Sequence, residues 1–402
     1  MRRRNQWLLV GGVLVVLLSI VAVVIWNIAS SPEVTTFYDQ PETLAGTTPG
    51  TLIRWEPMES RDGNSVWRIL YVSTDLHGEP IPVSGLIAVP PEDAPEGGYP
   101  LLAVAHGTTG VARGCAPSLM LYDGSDAMPS LYSDVVEPFL DAGYAVVMTD
   151  YQGLGAAGSP SYVIGQIEGQ NVLDSIRAAR AFAEISLSEQ LLLHGHSQGG
   201  HAAAFTMQLA PEYAPELAFD GVVLSAPATN LAGMFESILN EDERSPITAL
   251  VLYVAQAWSG TYPEASLDQV TTRLGQEAID TVIDNTCLTV SALASTFVAP
   301  SRLILPGATT TWADLLQQNT PEPGPWNAPV FIAQGEADGV IAPGFTAAYV
   351  EALCASGTTV GYHTYPDATH FSVAGASEED VLAWMEERLS GDEAPSTCTG
   401  GR

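Results

Sequence analysis

The sequence predicts an α/β fold in which helices cover both faces of a mostly parallel sheet. Short apolar runs alternate with stretches of helical period along most of the chain. Because the apolar runs are continuous rather than alternating, the strands must be buried on both sides, as in parallel sheets. Strands separated by helices favour parallel pairing, since a crossover helix returns the chain to the same end of the sheet. Only residues 228–327 break this rhythm, and their length predicts an inserted helical cap or lid.

The predicted elements follow one another at short spacing from about residue 51. Strands are predicted at 65–74, 81–89, 101–105, 144–149, 190–194, 221–224, 330–333 and 358–365. Helices are predicted at 168–185, 198–210, 343–355 and 377–389. The core is therefore expected in two segments, 51–227 and 328–402, of which the second ends in a tail. Within the cap, the apolar stretch 247–258 fits either the lining of an apolar pocket or the cap's own core.

The first 50 residues predict a membrane-targeting segment and a linker. Three arginines at positions 2–4 precede an apolar run from Trp7 to Ala29, which is long enough to cross a bilayer as a helix. We expect residues 1–30 to be an uncleaved membrane anchor, with a cleaved signal sequence as the alternative. Either one places the folded part outside the cytoplasm. Residues 31–50 are rich in turn formers and predict a linker.

The charged residues exclude several classes of protein. All 14 basic residues are Arg, so no Lys is present for a Walker A loop, a pyridoxal Schiff base or a kinase site. The formal net charge of −32 makes nucleic acid a poor partner, because nucleic-acid binding needs a basic surface. We expect membrane contact only through the N-terminal helix, and we expect a monomer.

Four cysteines suit an oxidising compartment, namely Cys115, Cys287, Cys354 and Cys398. Four cysteines allow three disulfide pairings, among which the spacing does not choose. The spacing also matches no zinc-binding pattern.

A G-x-S-x-G motif at residues 195–199 predicts the nucleophile of a hydrolase. The motif lies between a predicted strand and a predicted helix, where a sharp turn exposes the serine hydroxyl. Ser197 is therefore the candidate nucleophile. Because a hydroxyl is a weak nucleophile, it needs a base to take its proton and an acid to orient that base.

The base and the acid are predicted in two loops that follow later strands. His370 follows the strand at 358–365, and Asp338 follows the strand at 330–333. Both loops lie at the carboxyl ends of their strands, where open α/β sheets bind ligands. Glu336 and Asp367 are alternative acids. Asp338 is preferred because its loop position recurs in hydrolases of this kind, whereas an acid three residues before the histidine fits turn chemistry.

Three other histidines, His194, His196 and His201, lie close to Ser197 in sequence. No cysteine or carboxylate cluster accompanies them, so packing and hydrogen bonding are favoured over metal binding. No metal is therefore expected at the site.

An oxyanion hole is expected from two segments, since the charge that develops on a carbonyl oxygen needs fixed N–H donors. One donor is the backbone N–H of Gln198, the residue after the nucleophile. The other is expected from the loop 106–110, which follows the strand at 101–105. Thr108 is the first choice for this donor and Thr109 is the second.

A second glycine pattern, at 153–158, matches G-x-G-x-x-G without the context of a dinucleotide site. Ser159, Pro160 and Ser161 follow at the point where a helix should open. Asp174 falls in a helical pattern and not at the end of a strand, where a ribose-binding acid would lie.

Several of these segments together resemble the secretory lipases, a family of the α/β-hydrolase fold. The resemblance rests on His106-Gly107-Thr108-Thr109-Gly110, Cys115-Ala116-Pro117-Ser118, Asp150-Tyr151-Gln152-Gly153-Leu154-Gly155, the segment 195–200 and the loops of Asp338 and His370. It covers nearly all of the chain after about residue 35.

The resemblance implies a catalytic triad of Ser197, Asp338 and His370 and the hydrolysis of carboxylic esters, including acylglycerols. It also implies a helical cap between the strand of the nucleophile and the strand of the acid. Two disulfides are implied as well, Cys115 to Cys287 and Cys354 to Cys398.

The sequence therefore predicts an extracytoplasmic serine hydrolase, a lipase or esterase that cleaves small-molecule or lipid esters through an acyl-serine intermediate. This chemistry needs no cofactor. An exopeptidase or amidase is one alternative, because the same triad cleaves amides and a fold does not determine a substrate. A catalytically silent, membrane-tethered binding protein is the other.

Overall fold

Nine strands form one sheet in the order β1-β2-β3-β5-β4-β6-β7-β8-β9. The computed structural model describes residues 33–44, 46–59, 63–121 and 135–398. The strands are Leu52–Pro57 (β1), Ser65–Thr74 (β2), Pro80–Val89 (β3), Tyr99–Ala105 (β4), Ala145–Thr149 (β5), Leu187–His196 (β6), Gly221–Ser225 (β7), Val330–Gly335 (β8) and Val360–Tyr365 (β9). β1, β2, β3 and β5 pair antiparallel in that order, and all pairs from β5 to β9 are parallel. The predicted α/β fold is confirmed.

The helices cover both faces of the sheet and fill the interval between β7 and β8. They are Pro117–Met120 (α1), Glu137–Asp141 (α2), Gly165–Arg180 (α3), Gln198–Tyr213 (α4), Leu231–Glu241 (α5), Thr248–Thr261 (α6), Leu267–Val270 (α7), Arg273–Ala278 (α8), Leu288–Ser295 (α9), Pro300–Leu303 (α10), Ala308–Thr311 (α11), Ala313–Gln318 (α12), Pro343–Ser356 (α13) and Val373–Leu389 (α14). On one face, α3, α4 and α13 pack against the sheet. On the other face, α2 and α14 do so. Burial on both sides explains why the central strands are continuous apolar runs.

Two strands differ from the prediction because their residues are only partly buried. β1 is not predicted, since it lies at the edge of the sheet and its Trp55 is 42% exposed. β6 begins at Leu187, three residues before the predicted start, although Ser188 to Gln190 are polar. Backbone pairing of Leu187 with Tyr99 in β4 extends the strand there. Partly exposed residues, at the edge of a sheet or at the end of a strand, lack the continuous apolar run from which strands are predicted.

The segment predicted as a linker is partly packed against the core. Phe37 and Tyr38 are buried, and the Arg68 guanidinium lies 5.2 Å and 5.6 Å from the centres of their rings. The Tyr38 hydroxyl forms a 2.8 Å hydrogen bond with the Ser118 hydroxyl. Thr36–Tyr38 therefore forms a short helical turn packed against the core, although the composition of 31–50 predicts a linker. Burial of the two aromatic rings stabilises this packing.

The interval between β7 and β8 forms a helical cap with an apolar core of its own. Trp258 of α6 is fully buried and stacks on Trp312 at 5.7 Å between ring centroids. Tyr253, on the same helix, is also fully buried. Ile247 and Leu250, at the start of α6, instead line a cavity next to Ser197. The stretch 247–258 thus serves both uses that its sequence allows.

The predicted N-terminal anchor or signal sequence, residues 1–30, lies outside the described residues. Within the described part of the chain, no helix has the length and apolar character needed to cross a membrane.

The sheet and α4 meet with no space for a side chain at positions 195 and 199. A Cβ atom on Gly199 would lie 1.8 Å from the carbonyl oxygen of Ala105 in β4. A Cβ atom on Gly195 would lie 2.1 Å from the carbonyl oxygen of Gly199. Both distances are far inside van der Waals contact, so only glycine permits this approach. The N-terminus of α4 is thereby held against the ends of β4 and β6.

A buried carboxyl group follows β5 and anchors the N-terminal segment. Asp150 accepts hydrogen bonds from the backbone N–H of Ser118, at 2.8 Å, and from the Ser118 hydroxyl, which also bonds to Tyr38. Burial raises the pKa of Asp150 to about 6, against the lowering effect of these hydrogen bonds. The carboxyl therefore resists ionisation in the folded state.

We expect Asp150→Asn to remove part of the pH dependence of stability. The folded pKa lies above the ordinary 3.8, so the contribution of Asp150 is complete below about pH 4 and is lost as the pH rises through about 6. From about pH 4 to 7 the free energy of unfolding of the parent should fall by about 2 kcal/mol relative to the variant. Urea unfolding at several pH values measures this difference. A difference that stays constant over the range contradicts the prediction.

We expect Gly199→Ala to destabilise the fold by about 3 kcal/mol or more, because its Cβ would overlap the Ala105 carbonyl. Gly344→Ala is the matched control, since Gly344 lies in the first turn of α13 with no atom within 4 Å of the added Cβ. It should be neutral or stabilise by up to about 1 kcal/mol. Thermal unfolding compares the two variants, and equal shifts in Tm would refute the packing argument.

Candidate active site

Ser197 lies on the sharp turn that joins β6 to α4. Its backbone has φ 58° and ψ −117°, a region that favours glycine and is strained for serine. The turn is held by hydrogen bonds from the Ser197 N–H to the Ser225 carbonyl, at 2.9 Å, and from the His201 N–H to the Ser197 carbonyl, at 3.1 Å. The half-buried Ser197 side chain lines a cavity between the core and the cap.

The structure brings Ser197, His370 and Asp338 into one chain of hydrogen bonds. Nε2 of His370 lies 2.9 Å from the Ser197 hydroxyl, and Nδ1 lies 2.8 Å from Oδ2 of Asp338. Asp338 follows β8 and His370 follows β9, so parallel pairing places both loops at the edge where β6 ends. The three side chains are separated by 173 and 32 residues along the chain.

Asp338 is held as a carboxylate by its surroundings. Burial opposes ionisation, but the hydrogen bond and charge of His370 and the N–H groups of Ile341 and Val340 lower the pKa of Asp338 below its ordinary value. Both N–H groups lie 2.8 Å from Oδ1. Asp338 can therefore accept a hydrogen bond from Nδ1–H of His370 while the proton stays on the ring.

The two alternative acids lie elsewhere. Glu336 is exposed and accepts a 2.8 Å hydrogen bond from the Thr364 hydroxyl. Asp367 is also exposed, in the turn that precedes His370. The acceptor of the hydrogen bond from Nδ1–H of His370 is Asp338.

The three neighbouring histidines occupy different positions around the turn. His196 donates from Nε2 to the His370 carbonyl at 2.9 Å, and burial together with the charge of nearby His370 lowers its pKa to about 3. His194 packs against the Phe139 ring, and burial lowers its pKa to about 4. His201 is fully buried beneath the turn, on α4. His196 and His194 are therefore neutral at ordinary pH.

Thr108 and Thr109 differ in their surroundings in the loop after β4. Thr108 lines the cavity beside Ser197, and its hydroxyl bonds to the Tyr162 hydroxyl at 2.9 Å. Thr109 is fully buried, and its carbonyl accepts the backbone N–H of Leu288 in the cap at 2.8 Å. Gln198 is the first residue of α4, directly after the nucleophile.

Two disulfides connect elements that are distant in sequence. Cys115 pairs with Cys287, which joins the segment after the Thr108 loop to the start of α9 in the cap. Cys354 of α13 pairs with Cys398 in the C-terminal tail. These are the pairs that the resemblance to secretory lipases implies.

The cavity above Ser197 has a volume of about 460 Å³ and a mostly apolar lining. Ile247, Leu250 and Leu288 contribute from the cap, and Val340 and Phe371 contribute from the loops of the core. Phe371 follows His370 directly and is 70% exposed. The arrangement offers an apolar substrate direct access to a serine hydroxyl whose proton has an acceptor 2.9 Å away.

Two residues at the site carry no signal in the sequence. Tyr162 bonds to Thr108, 54 residues away, and Glu168 bonds to the Gln198 side chain, 30 residues away. Both belong to ordinary local patterns, a loop residue and an acid in the first turn of a helix. Only their long-range contacts connect them with the nucleophile.

Similar proteins include a secreted fungal lipase and a bacterial protein. A secreted triacylglycerol lipase of Malassezia globosa is 27% identical over 391 residues, which cover 91% of this chain and 83% of that protein. A probable inactive lipase of Mycobacterium tuberculosis is 29% identical over 378 residues, covering 88% of this chain and 82% of that protein.

Solved structures share the fold at lower identity. Lipase A of Candida antarctica in its closed state has a TM-score of 0.78 and 21% identity, covering 90% of this chain and 87% of that one. A rice cell wall degrading esterase of Xanthomonas oryzae has a TM-score of 0.71 and 19% identity, covering 86% of this chain and all of that one.

The family model described as secretory lipase matches residues 131–397. The match spans more than half of the chain and includes Ser197, Asp338 and His370. The resemblance predicted from the sequence is therefore confirmed: the chain belongs to the secretory lipase family, and its relatives include proteins named triacylglycerol lipases, which hydrolyse esters.

Proposed function

We propose that this protein hydrolyses carboxylic esters through an acyl intermediate on Ser197. The observation that carries the proposal is the hydrogen-bond chain from Ser197 through His370 to Asp338, which opens onto an apolar cavity. Each member has the chemical character that its role requires: a hydroxyl, an imidazole and a carboxylate with a lowered pKa.

In the first half of the reaction, Nε2 of His370 takes the proton of Ser197 while Oγ bonds to the ester carbonyl carbon. Asp338 accepts a hydrogen bond from Nδ1–H, which sets the tautomer that leaves Nε2 free to act as a base. The same carboxylate stabilises the imidazolium that forms. The imidazolium then gives its proton to the alkoxide as the carbon–oxygen bond of the ester breaks.

In the second half, water replaces the alcohol. His370 removes a proton from the water, whose oxygen bonds to the acyl carbon, and returns that proton to Ser197 as the acyl–serine bond breaks. The products are a carboxylic acid and the free enzyme. The side chains in this cycle are all present in the chain, and no cofactor takes part.

We assign the oxyanion hole to the backbone N–H groups of Gln198 and Thr108. Gln198 opens α4, so its N–H is one of the unpaired donors at a helix N-terminus. Thr108 lies in the loop that faces Ser197 across the cavity, whereas Thr109 points into the core. Both donors would face the negative oxygen of the tetrahedral intermediate.

The substrate class follows from the apolar cavity and from the relatives. Burial of each methylene group of an acyl chain contributes about 0.8 kcal/mol, so the cavity favours esters with an apolar acyl chain over acetate. The Malassezia relative is named a triacylglycerol lipase and the Xanthomonas structure an esterase. We infer small-molecule or lipid esters as substrates.

We also propose that the enzyme acts outside the cytoplasm. The Malassezia relative is named as secreted, and three arginines at positions 2–4 of this chain precede an apolar run. The two disulfides suit an oxidising compartment.

We expect the purified protein to hydrolyse nitrophenyl esters from acetate to palmitate, with the highest kcat/KM for an acyl chain longer than acetate. Ser197→Ala should lose about 10⁴-fold or more of the rate, because it removes the nucleophile. A fluorophosphonate probe should label the parent and not the variant. A folded parent that hydrolyses no ester and takes no label would instead support the silent binding protein, a reading favoured by the inactive mycobacterial relative.

We expect Asp338→Asn to lower kcat by about 10⁴-fold with a small effect on KM, because the amide favours the wrong tautomer of His370. Glu336→Gln and Asp367→Asn are the controls, since both residues are exposed acids on the same two loops. Each should retain kcat within about 3-fold. A comparable loss in Asp367→Asn would move the role of the acid to that residue.

A further inference from the structure

A buried carboxyl group lies behind the nucleophile and takes no part in the reaction above. Glu168, in the first turn of α3, has no exposed surface. Its Oε1 accepts a hydrogen bond from the Gln198 side-chain amide at 2.6 Å and another from the Val163 backbone N–H at 3.0 Å. A buried carboxyl is costly unless its hydrogen bonds are complete, so these contacts are the reason that the fold tolerates it.

The Val163 contact also connects Glu168 to Thr108, the second proposed oxyanion donor. Val163 has φ 46°, which is strained for a β-branched residue and needs support from its surroundings. Its neighbour Tyr162 bonds through its hydroxyl to the hydroxyl of Thr108 at 2.9 Å. Oε1 of Glu168 therefore contacts Gln198 directly and supports the turn that holds Thr108.

The second oxygen of Glu168 faces a histidine. Oε2 lies 3.4 Å from Nδ1 of His201, whose Nε2 donates to the Asn319 carbonyl at 2.8 Å. Because Nε2 carries a proton, Nδ1 of a neutral ring has a lone pair, and the contact with Oε2 requires one shared proton. Burial raises the pKa of Glu168, against the lowering effects of His201, the Gln198 side chain and the Val163 N–H.

The same cluster joins the cap to the core. Asn319 directly follows α12, the last helix of the cap, and is buried. Its side-chain oxygen accepts a hydrogen bond from the Gly165 N–H, at the start of α3, at 3.0 Å, and its side-chain NH₂ donates to the Tyr262 hydroxyl oxygen at 2.8 Å. The cap, α3 and α4 thus meet around Glu168 and His201.

We propose that Glu168, paired with His201, is the positioning residue of the oxyanion hole. It fixes Gln198 directly and Thr108 through Val163 and Tyr162, and so holds the two N–H donors at the spacing that the tetrahedral intermediate requires. The inference rests on the proposed function, because it concerns the donors assigned there. Loss of one oxyanion donor costs about 10² to 10³ in kcat, and a misplacement of about 1 Å can cost 10²-fold.

The first test compares two substitutions of Glu168. Glu168→Leu removes the acceptor and should lower kcat about 10²-fold while KM changes by less than about 2-fold. Glu168→Gln should restore kcat to within about 3-fold of the parent, because its oxygen accepts from Val163 and Gln198 and its NH₂ donates to His201. Asp174→Leu is the matched control, a buried acid on the same helix that bonds to Ser73, Tyr213 and Arg177. It should lower Tm and leave kcat unchanged.

A milder pair of variants keeps the test decisive if Glu168→Leu does not fold. Gln198→Ala removes only the side chain that contacts Glu168 and keeps the backbone N–H, and it should lower kcat about 10-fold. Gln170→Ala is its control, a buried glutamine on α3 that does not line the cavity. Its kcat should equal that of the parent.

A transition-state analogue separates positioning from general loss of structure. A trifluoromethyl ketone forms a tetrahedral adduct with its oxygen in the hole, whereas the matching methyl ketone binds without forming one. In the variants, the inhibition constant of the fluorinated ketone should rise in parallel with the fall in kcat/KM. The constant of the methyl ketone should not change.

The inference is overturned if folded Glu168→Leu and Gln198→Ala retain the parental kcat, or if their loss is in KM alone. It is also overturned if Glu168→Gln loses as much activity as Glu168→Leu, since the amide reproduces the hydrogen bonds. In these cases the proposed ester hydrolysis through Ser197 is unaffected, because the parent still has its activity. A parent without esterase activity instead overturns the proposed function, and the positioning role with it.

Discussion

The structure depends on the close approach of β4, β6 and the start of α4. Glycines at positions 195 and 199 let the backbone of α4 reach the carbonyl groups of the two strands, where any Cβ would collide. This approach places Ser197 in a strained backbone conformation with its hydroxyl toward the cavity. It also puts the N-terminus of α4 next to the loop of Thr108. The nucleophile and the proposed oxyanion donors thus have one common origin in backbone packing.

The cap is joined to the core near the loop of Thr108 and at the helix that follows Ser197. The Cys115–Cys287 disulfide and the Thr109–Leu288 backbone hydrogen bond connect α9 to the loop after β4. At the opposite end of the cap, Asn319 reaches the helix of the nucleophile through His201. These links therefore attach the cap, which contributes apolar walls to the cavity, to the core at two separate places.

Burial and hydrogen bonding set different charge states for groups that lie close together. The pKa of Asp338 is lowered by His370 and two backbone N–H groups despite burial, whereas burial lowers the pKa of His196 to about 3. A carboxylate and a neutral imidazole therefore flank His370. Asp338 accepts a hydrogen bond from the His370 ring, and the neutral His196 ring donates one to the His370 backbone without placing a second positive charge nearby.

Much of the fold was predictable because its signals are local. Continuous apolar runs indicated the central strands, and helical periods indicated α3, α4, α13 and α14. β1 and the first residues of β6 were not predictable, since partly exposed strands show no continuous apolar run. The packed segment Thr36–Tyr38 was hidden for a similar reason, because two aromatic residues among turn formers carry no periodicity.

The sequence alone determined the fold class and predicted the order in which a candidate nucleophile, acid and base follow the strands of the sheet. Those features depend on residue type and spacing, which tertiary contacts do not change. Only the tertiary structure decided that Asp338 rather than Glu336 or Asp367 meets His370, that Thr108 rather than Thr109 faces the cavity, and that Glu168 lies beneath the nucleophile. These choices depend on hydrogen bonds between residues far apart in sequence, which exist only once the sheet and the cap have packed.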